Sequence, residues 1–359
     1  MIRSHWIVPG IAVAVLCAAP GLAPGNCSEE DGQKPEARAK DQHKKLALKP
    51  NSAGTSFDFE TEQMQGTIRT EGAYHGVASL VDRRTGKQLI HPNLSALNLY
   101  RLAAVNQVLG IPRAMERTIH FDGDSVEVKW AAGSATKDDA AARRQVGEVT
   151  ARYEVLEPNL VEVTVTVRAQ RACSGFEVFM PSYLDKSHEP HIYLQPRGFG
   201  RGAVTKPDLV VPTVNDVFRG TLLAFPRDDH AARRCLDGRW DRESEVQVCP
   251  VRHYVHCLAI LANPENRTGV VLMAQPRHVF AISARYHAAA DADRLTPYSA
   301  FDFSLFGDDL LPGDERSAKV RLALTPLDAE LSQPLELYES FIAETKDLID
   351  QPVRPTGKE

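Results

Sequence analysis

Apolar and polar residues alternate over many short stretches of the chain, which is the pattern of half-buried β-strands. The clearest stretch is 161–167, where four valines alternate with Glu and Thr. The same period of two recurs at 125–130, 149–155 and 319–324. Because successive side chains of a strand point to opposite faces, each stretch predicts one buried face and one polar face.

Turn-forming sequences separate these stretches, namely DGD at 122–124, EPN at 157–159, PEN at 264–266 and PGD at 312–314. Residues 258–261 and 270–274 are more continuously apolar, as expected for central strands that are covered on both faces. Short strands bounded by such turns predict an all-β fold. We therefore expect one large antiparallel β-sandwich rather than two domains.

Helical patterns are few. Residues 135–146 favour a short helix or a polar loop. A C-terminal helix within 326–350 is predicted more strongly, because its apolar residues form a stripe at helical spacing. The stripe consists of Leu331, Leu335, Leu337, Tyr338, Phe341 and Ile342.

The N-terminus has the layout of a secretory signal peptide. Arg3 gives a basic start, residues 6–19 are almost wholly apolar, and small residues with Pro and Gly follow up to residue 25. The apolar run is shorter than the about 20 residues that span a bilayer. We assign 1–25 to a signal peptide, with an uncleaved anchor as the alternative. A secreted or periplasmic protein without a stable membrane span is expected.

Residues 26–55 are rich in charge and contain no aromatic residue, which predicts a disordered linker. The sandwich is then expected over 56–326, with the C-terminal helix and tail over 327–359. The whole chain has 42 Lys and Arg against 47 Asp and Glu, for a net charge of −5. A slightly acidic chain without a basic run is not expected to bind nucleic acid.

Six cysteines are present, at positions 17, 27, 173, 235, 249 and 257. In an oxidising compartment, the four in the body of the chain predict disulfides. Cys235 and Cys249 flank a polar, loop-like stretch and are candidates for one bridge. Four cysteines allow three pairings, and the sequence does not choose among them. Buried free thiols are the alternative for Cys173 and Cys257.

The order of the segments resembles the galactose-mutarotase-like β-supersandwich family. The resemblance rests on the stretch 66–86, which ends in an Asp-x-x-Thr-Gly turn, and on 299–324, which contains the turn at 312–314. It covers about residues 57–326 and implies a protein that acts on or binds carbohydrate. The family's acid lies in a His-x-Tyr segment, matched here by 191–194. Its base lies in a late strand, and the strand at that place, 280–287, contains no carboxylate.

Candidate site residues cluster in two central segments. Residues 188–193 contain two imidazoles, a carboxylate and a phenol, and 252–257 contain two imidazoles and a phenol. Loops and strand ends over a sheet are where sites are usually built. We expect catalytic roles for His191, His253 and Tyr193. Substrate-binding roles are expected for His75, Arg101, His188 and Tyr254.

The sequence thus predicts an exported carbohydrate-active protein with an epimerase-, lyase- or hydrolase-like reaction. No metal or cofactor is predicted, because no spaced ligand set or phosphate-binding motif occurs. The alternative is a non-catalytic carbohydrate-binding or envelope structural protein. In that case Trp130 and Trp240 are candidate platforms for sugar rings, although core packing is the simpler role for Trp130.

Overall fold

The computed structural model describes residues 43–131, 146–196, 206–213, 222–240, 246–287 and 296–346. These residues all belong to the compact unit Gln42–Glu359. The signal peptide predicted over 1–25 lies outside the described residues, as does nearly all of the helix predicted over 135–146. Both stay predictions.

Strands dominate the described chain. They are β1 (Lys49–Pro50), β2 (Ser56–Glu60), β3 (Met64–Arg69), β4 (Gly76–Asp82), β5 (Lys87–Gln88), β6 (Arg101–Ala104), β7 (Gln107–Gly110), β8 (Thr118–Phe121), β9 (Ser125–Trp130), β10 (Gly147–Leu156), β11 (Leu160–Ala169), β12 (Cys173–Asp185), β13 (Glu189–Leu194), β14 (Asp208–Val210), β15 (Leu222–Pro226), β16 (Val246–Val248), β17 (Tyr254–Asn263), β18 (Thr268–Ala274), β19 (Val279–Arg285), β20 (Tyr298–Leu310) and β21 (Glu315–Pro326). The helices within the described ranges are α1 (Asp229–Cys235), α2 (Ser332–Thr345) and the short 3-10 turns Pro112–Ala114 and Pro276–His278.

The strands form three sheets. A five-stranded sheet runs from β1 to β5 in chain order. A nine-stranded sheet has the order β14-β13-β17-β18-β21-β11-β10-β9-β8, and a seven-stranded sheet has the order β16-β15-β19-β20-β12-β6-β7. Neighbours are antiparallel except for the parallel pair β15–β16. Buried apolar residues of all three sheets form one core cluster. The predicted large antiparallel β-sandwich is therefore confirmed.

Strand β11 shows how the alternation in the sequence becomes packing. Val161, Val163 and Val165 have no exposed surface and join the core. Glu162 is also buried, at 2% exposure, although it lies on the polar face. Its carboxylate accepts hydrogen bonds from Lys319 Nζ at 2.6 Å and Arg321 Nε at 2.8 Å. The neighbouring strand β21 thus supplies the charges that a buried carboxylate needs.

The folded chain begins earlier than the sequence predicts. Residues 43–55 were expected to belong to the disordered linker, but Leu48 is 4% exposed and lies in the core. The amide groups of Leu46 and Leu48 donate hydrogen bonds to the carbonyl oxygens of Val155 and Gly123, each at 2.9 Å. These two leucines provide the apolar area that the rest of the segment lacks.

The four described cysteines are free thiols, so the predicted bridge between Cys235 and Cys249 is not formed. Cys235 is buried in the small helix α1, where burial raises the pKa of its thiol to about 12. Cys249 follows β16 and is partly buried against the core. A polar stretch between two cysteines indicates a loop, but it does not bring the two sulfur atoms together.

Helix α2 confirms the predicted C-terminal helix, over a shorter range. It starts only at Ser332, because Pro326 still belongs to β21 and Leu331 has a left-handed backbone conformation with φ of 54°. Phe341 has no exposed surface and packs into the core. The end of α2 contacts the first described residue, with His43 Nε2 lying 3.6 Å from the Glu344 carboxylate. In the described part of the chain, no helix is long and apolar enough to cross a membrane.

Candidate functional site

Three central strands of the seven-stranded sheet, β12, β20 and β19, present a polar face. On β20, Phe301 and Phe303 point into the core, so Asp302 between them points to the opposite side. Asp302 lies opposite Pro181 of β12 and Ser283 of β19. We call this side the outer face; by strand register its side chains include Arg101, Glu177, Phe179, Tyr183, Ser283, Arg285, Tyr298 and Asp302.

Asp302 is the buried acid of the outer face. Its side chain is 1% exposed, and its Oδ1 has no hydrogen-bond partner among the described residues. Burial raises the pKa of this carboxyl to about 7, against the opposing effect of the Arg285 charge. A carboxyl group that titrates near neutral pH can both take and give a proton there.

Tyr298 and Arg285 form a hydrogen-bonded pair on the same face of the sheet as Asp302. Arg285 Nη1 donates a hydrogen bond of 2.9 Å to the Tyr298 hydroxyl oxygen. The ring of Tyr183 meets the ring of Tyr298 edge to face, with centroids 4.9 Å apart. Burial raises the pKa of Tyr298, whereas the charge of Arg285 and its hydrogen bond lower it. Two half-buried phenols and a guanidinium therefore lie on the same face as the carboxyl group.

A second cluster of polar side chains lies at the other end of the outer face. Arg239 has no exposed surface, and its guanidinium donates to Glu177 at 3.1 Å and to both carboxylate oxygens of Asp237, at 3.0 and 2.7 Å. Arg101 lies 3.7 Å from Glu177 and stacks 3.4 Å above the Trp240 ring. The cluster fixes the loop after α1 onto β12 and β6.

Arg101, predicted to bind substrate, thus lies on the outer face, but most of the other predicted residues do not. His191 and Tyr193 belong to β13 of the nine-stranded sheet. His191 is opposite Ile260, which is seven residues from His253 along the neighbouring chain segment. The pairing of β13 with β17 is irregular beyond Ile192, and the Gln195 amide donates a hydrogen bond of 2.9 Å to the His253 carbonyl oxygen. The catalytic roles expected of His191, His253 and Tyr193 stay predictions.

These three residues contact local partners within the protein. The His191 ring contacts the carboxylate of Glu189, its neighbour on β13, at 3.2 Å. His253 Nε2 lies 3.1 Å from the carbonyl oxygen of Pro250 and 3.4 Å from the Asp229 carboxylate. The Tyr193 ring packs edge to face against His256, with centroids 5.3 Å apart.

The predicted substrate-binding residues His188 and Tyr254 are buried. His188 is 2% exposed in the turn between β12 and β13, and its Nδ1 lies 3.2 Å from the carbonyl oxygen of Asp185. Tyr254 donates its hydroxyl to the carbonyl oxygen of Val279 at 2.5 Å. The proton of the Tyr254 hydroxyl is therefore already engaged in a hydrogen bond within the protein.

His75 lies in the core rather than in a cleft. It has no exposed surface, its ring packs 5.0 Å from the Trp130 ring, and its Nε2 accepts a hydrogen bond of 3.0 Å from the Leu99 amide. Burial, with the nearby charges of Arg117 and Arg69, lowers the pKa of His75 to about 3. Trp130 itself is 1% exposed, as expected for a core residue.

We expect the protein to lose stability in mild acid through His75. The unfolded chain binds a proton near pH 6.5 and the folded chain only near pH 3, so the free energy of unfolding falls as the pH drops through this window. The loss from this residue is about 2 kcal/mol between pH 7 and pH 5. His75→Gln, whose amide oxygen can still accept the Leu99 hydrogen bond, should remove it in urea titrations. The exposed His120→Gln serves as the control, and an equal pH dependence in both variants would contradict the assignment.

Asp302 is the central group that sequence reasoning missed. It stands in the stretch Phe301-Asp302-Phe303, within the segment that carried the family resemblance. The period of two around it could have placed Asp302 on the face away from the core. The burial of its side chain depends on the neighbouring strands, which the sequence does not order.

No protein-family model matches the chain, and no curated protein matches it in sequence. Solved structures do resemble it. A proposed aldose 1-epimerase from Escherichia coli K12 matches with 11% identity and a TM-score of 0.49, over 76% of this chain and 99% of its own. A galactose mutarotase related enzyme from Lactobacillus acidophilus matches with 11% identity and a TM-score of 0.46, over 75% and 97% of the two chains.

A galactose mutarotase-like protein from Lactobacillus casei matches with 12% identity and a TM-score of 0.46, over 75% of this chain and all of its own. These similar structures are described as galactose mutarotase-like or aldose 1-epimerase proteins, the kind that the sequence led us to expect. At these identities the similarity assigns no role to any residue of this chain.

Proposed function

We propose that this protein acts on a carbohydrate at the outer face and interconverts sugar anomers by proton transfer through Asp302. The observation that carries the proposal is the state of this carboxyl group. It is 1% exposed, its Oδ1 has no partner among the described residues, and its pKa lies at about 7. A buried polar group without a partner is costly, and a bound sugar hydroxyl would satisfy it.

The groups around Asp302 suit a sugar. Tyr298 and Arg285 offer hydroxyl and guanidinium groups for hydrogen bonds to sugar hydroxyls, and the ring of Tyr298 offers apolar surface for the C–H face of the sugar. Opening and closing a sugar ring needs only proton transfers to and from its oxygen atoms. A carboxyl group that exchanges protons near neutral pH fits this requirement.

The test is the rate of anomer exchange, followed by polarimetry and proton NMR. Glucose, galactose, glucuronate and galacturonate are the probes. We expect at least one of them to be interconverted, and Asp302→Asn to lower that rate at least about 100-fold. His191→Ala and His253→Ala, which alter residues outside the seven-stranded sheet, should keep the rate within a few-fold of wild type.

Three results would count against the proposal. Full activity of the Asp302→Asn variant would remove Asp302 from the reaction. Calorimetric binding of a probe sugar without any acceleration of exchange would instead favour the non-catalytic binding protein that the sequence left as the alternative. Activity lost in His191→Ala or His253→Ala but kept in Asp302→Asn would move the site to the nine-stranded sheet.

A further inference from the structure

Anomer exchange needs a proton donor in addition to Asp302, and the pair of Tyr298 and Arg285 can supply it. We propose that Tyr298 is the catalytic acid that protonates the ring oxygen of the sugar, and that Arg285 is the residue that positions and polarises it. This inference rests on the proposed function, and it adds the second proton-transfer group that an anomer exchange needs.

The direction of one hydrogen bond carries the argument. The Tyr298 oxygen accepts from Arg285 Nη1 at 2.9 Å, so its own proton is not used in this bond. Within the described ranges, that proton has no acceptor. A phenol that accepts from a cation becomes a better donor, because the cation stabilises the phenolate that forms when the proton leaves.

The strand register places the phenol on the same face of the sheet as Asp302. Tyr298 and Asp302 lie on one face of β20, four residues or about 13 Å apart between their Cα atoms. Arg285 stands opposite Ala300, midway between them. Arg285 thus links the two groups, because it donates a hydrogen bond to the Tyr298 hydroxyl and its charge opposes the rise of the Asp302 pKa.

The proposed step balances in protons and electrons. The Asp302 carboxylate takes the proton of the anomeric hydroxyl, the bond between C1 and the ring oxygen breaks, and the ring oxygen keeps the electron pair and receives the proton of Tyr298. The open-chain aldehyde then rotates about its C1–C2 bond. Ring closure runs the step backwards, returning one proton to the Tyr298 phenolate and the other from Asp302 to the new anomeric oxygen.

Tyr183 provides a matched control. Its ring touches that of Tyr298 on the same face, and burial raises the pKa of its hydroxyl. Among the described residues, however, no cation donates to that hydroxyl. The two tyrosines therefore share burial and position but differ in the polarising bond, which is the feature that the proposal depends on.

The experiment compares Tyr298→Phe and Tyr183→Phe with the sugar that the wild type interconverts. Tyr298→Phe should lower kcat at least about 100-fold while the Kd of the sugar, measured by calorimetry, changes less than about 5-fold. Tyr183→Phe should keep kcat within about 5-fold. Arg285→Gln retains the phenol, and the titration of Tyr298, followed by NMR of 13Cζ-labelled tyrosine, should move to higher pH.

The outcomes separate this inference from the proposed function. A wild-type kcat in Tyr298→Phe together with an inactive Asp302→Asn variant would overturn the inference and leave the proposed function standing. Equal losses in both phenylalanine variants would show a packing role for the phenols and overturn it too. If Tyr298→Phe does not fold, an unchanged Tyr298 titration and an unchanged kcat in Arg285→Gln would overturn it.

Discussion

Replacing Glu177 with Ala is expected to destabilise the protein by about 3–5 kcal/mol. Glu177 has no exposed surface and accepts a hydrogen bond of 3.1 Å from Arg239, whose side chain is also fully buried. It also lies 3.7 Å from Arg101. Removing one member of a buried ion pair leaves the other charge without full compensation, because water cannot reach it.

Urea unfolding of the wild type and of two variants measures this effect. Glu315→Ala is the control, since it removes a carboxylate that pairs with Arg168 at 2.7 Å on the surface. An exposed pair of this kind contributes at most about 1 kcal/mol. A loss in Glu177→Ala no larger than that in Glu315→Ala would show that the cluster around Arg239 does not depend on Glu177.

The second large effect is a pH-dependent gain in stability from Asp302→Asn. The pKa of this carboxyl is about 3.8 in the unfolded chain and about 7 in the folded chain, so the folded state holds the proton more tightly. The wild type therefore loses stability as the pH rises from about 4 to 7. The shift corresponds to ~4 kcal/mol at pH 8, the cost of keeping the buried carboxylate ionised.

Asparagine resembles the neutral carboxyl group and does not ionise. We expect the variant to match the wild type near pH 4 and to exceed it by pH 8 in thermal or urea unfolding. The other groups that face Asp302 are Arg285, Tyr183 and Tyr298, and all three keep their charge state over this range. Asp58→Asn, on the exposed side of β2, is the control. Parallel profiles of stability against pH in the wild type and the variant would contradict the raised pKa of Asp302.

The opposite effects expected of Asp302→Asn on stability and on activity are typical of functional sites. A group tuned for proton transfer is held in an unfavourable environment, and its removal relaxes the fold. Loss of anomer exchange together with higher stability at pH 8 would exclude misfolding as the reason for the lost activity.

The fold could be predicted from the sequence because local alternation specifies which face of a strand is buried. The valines of 161–167 occupy the core as expected, and the stripe on α2 packs against the sheet. The order of the strands in each sheet could not be predicted in the same way. It depends on pairings between distant segments, such as β11 with β21, that no local pattern encodes.

The site was harder to predict for the same reason. Functional side chains that are close along the chain, such as His188 to Tyr193, were predicted to form the site. The acid, phenol and guanidinium of the outer face come instead from separate strands, with Arg285 on β19 and Asp302 and Tyr298 on β20. In a sheet, residues meet across strands, so closeness in sequence is a poor indicator of closeness in space.

The contact between His43 and Glu344 means that the two ends of the described chain lie side by side. In topological terms the folded unit is nearly a closed ring, and joining its ends would need only a short connection with a small entropy cost. A circularly permuted chain, in which the strands follow one another from a different starting point, could then build the same sheets. New chain ends could be opened in an exposed turn, such as 312–314, without parting Tyr298, Arg285 and Asp302.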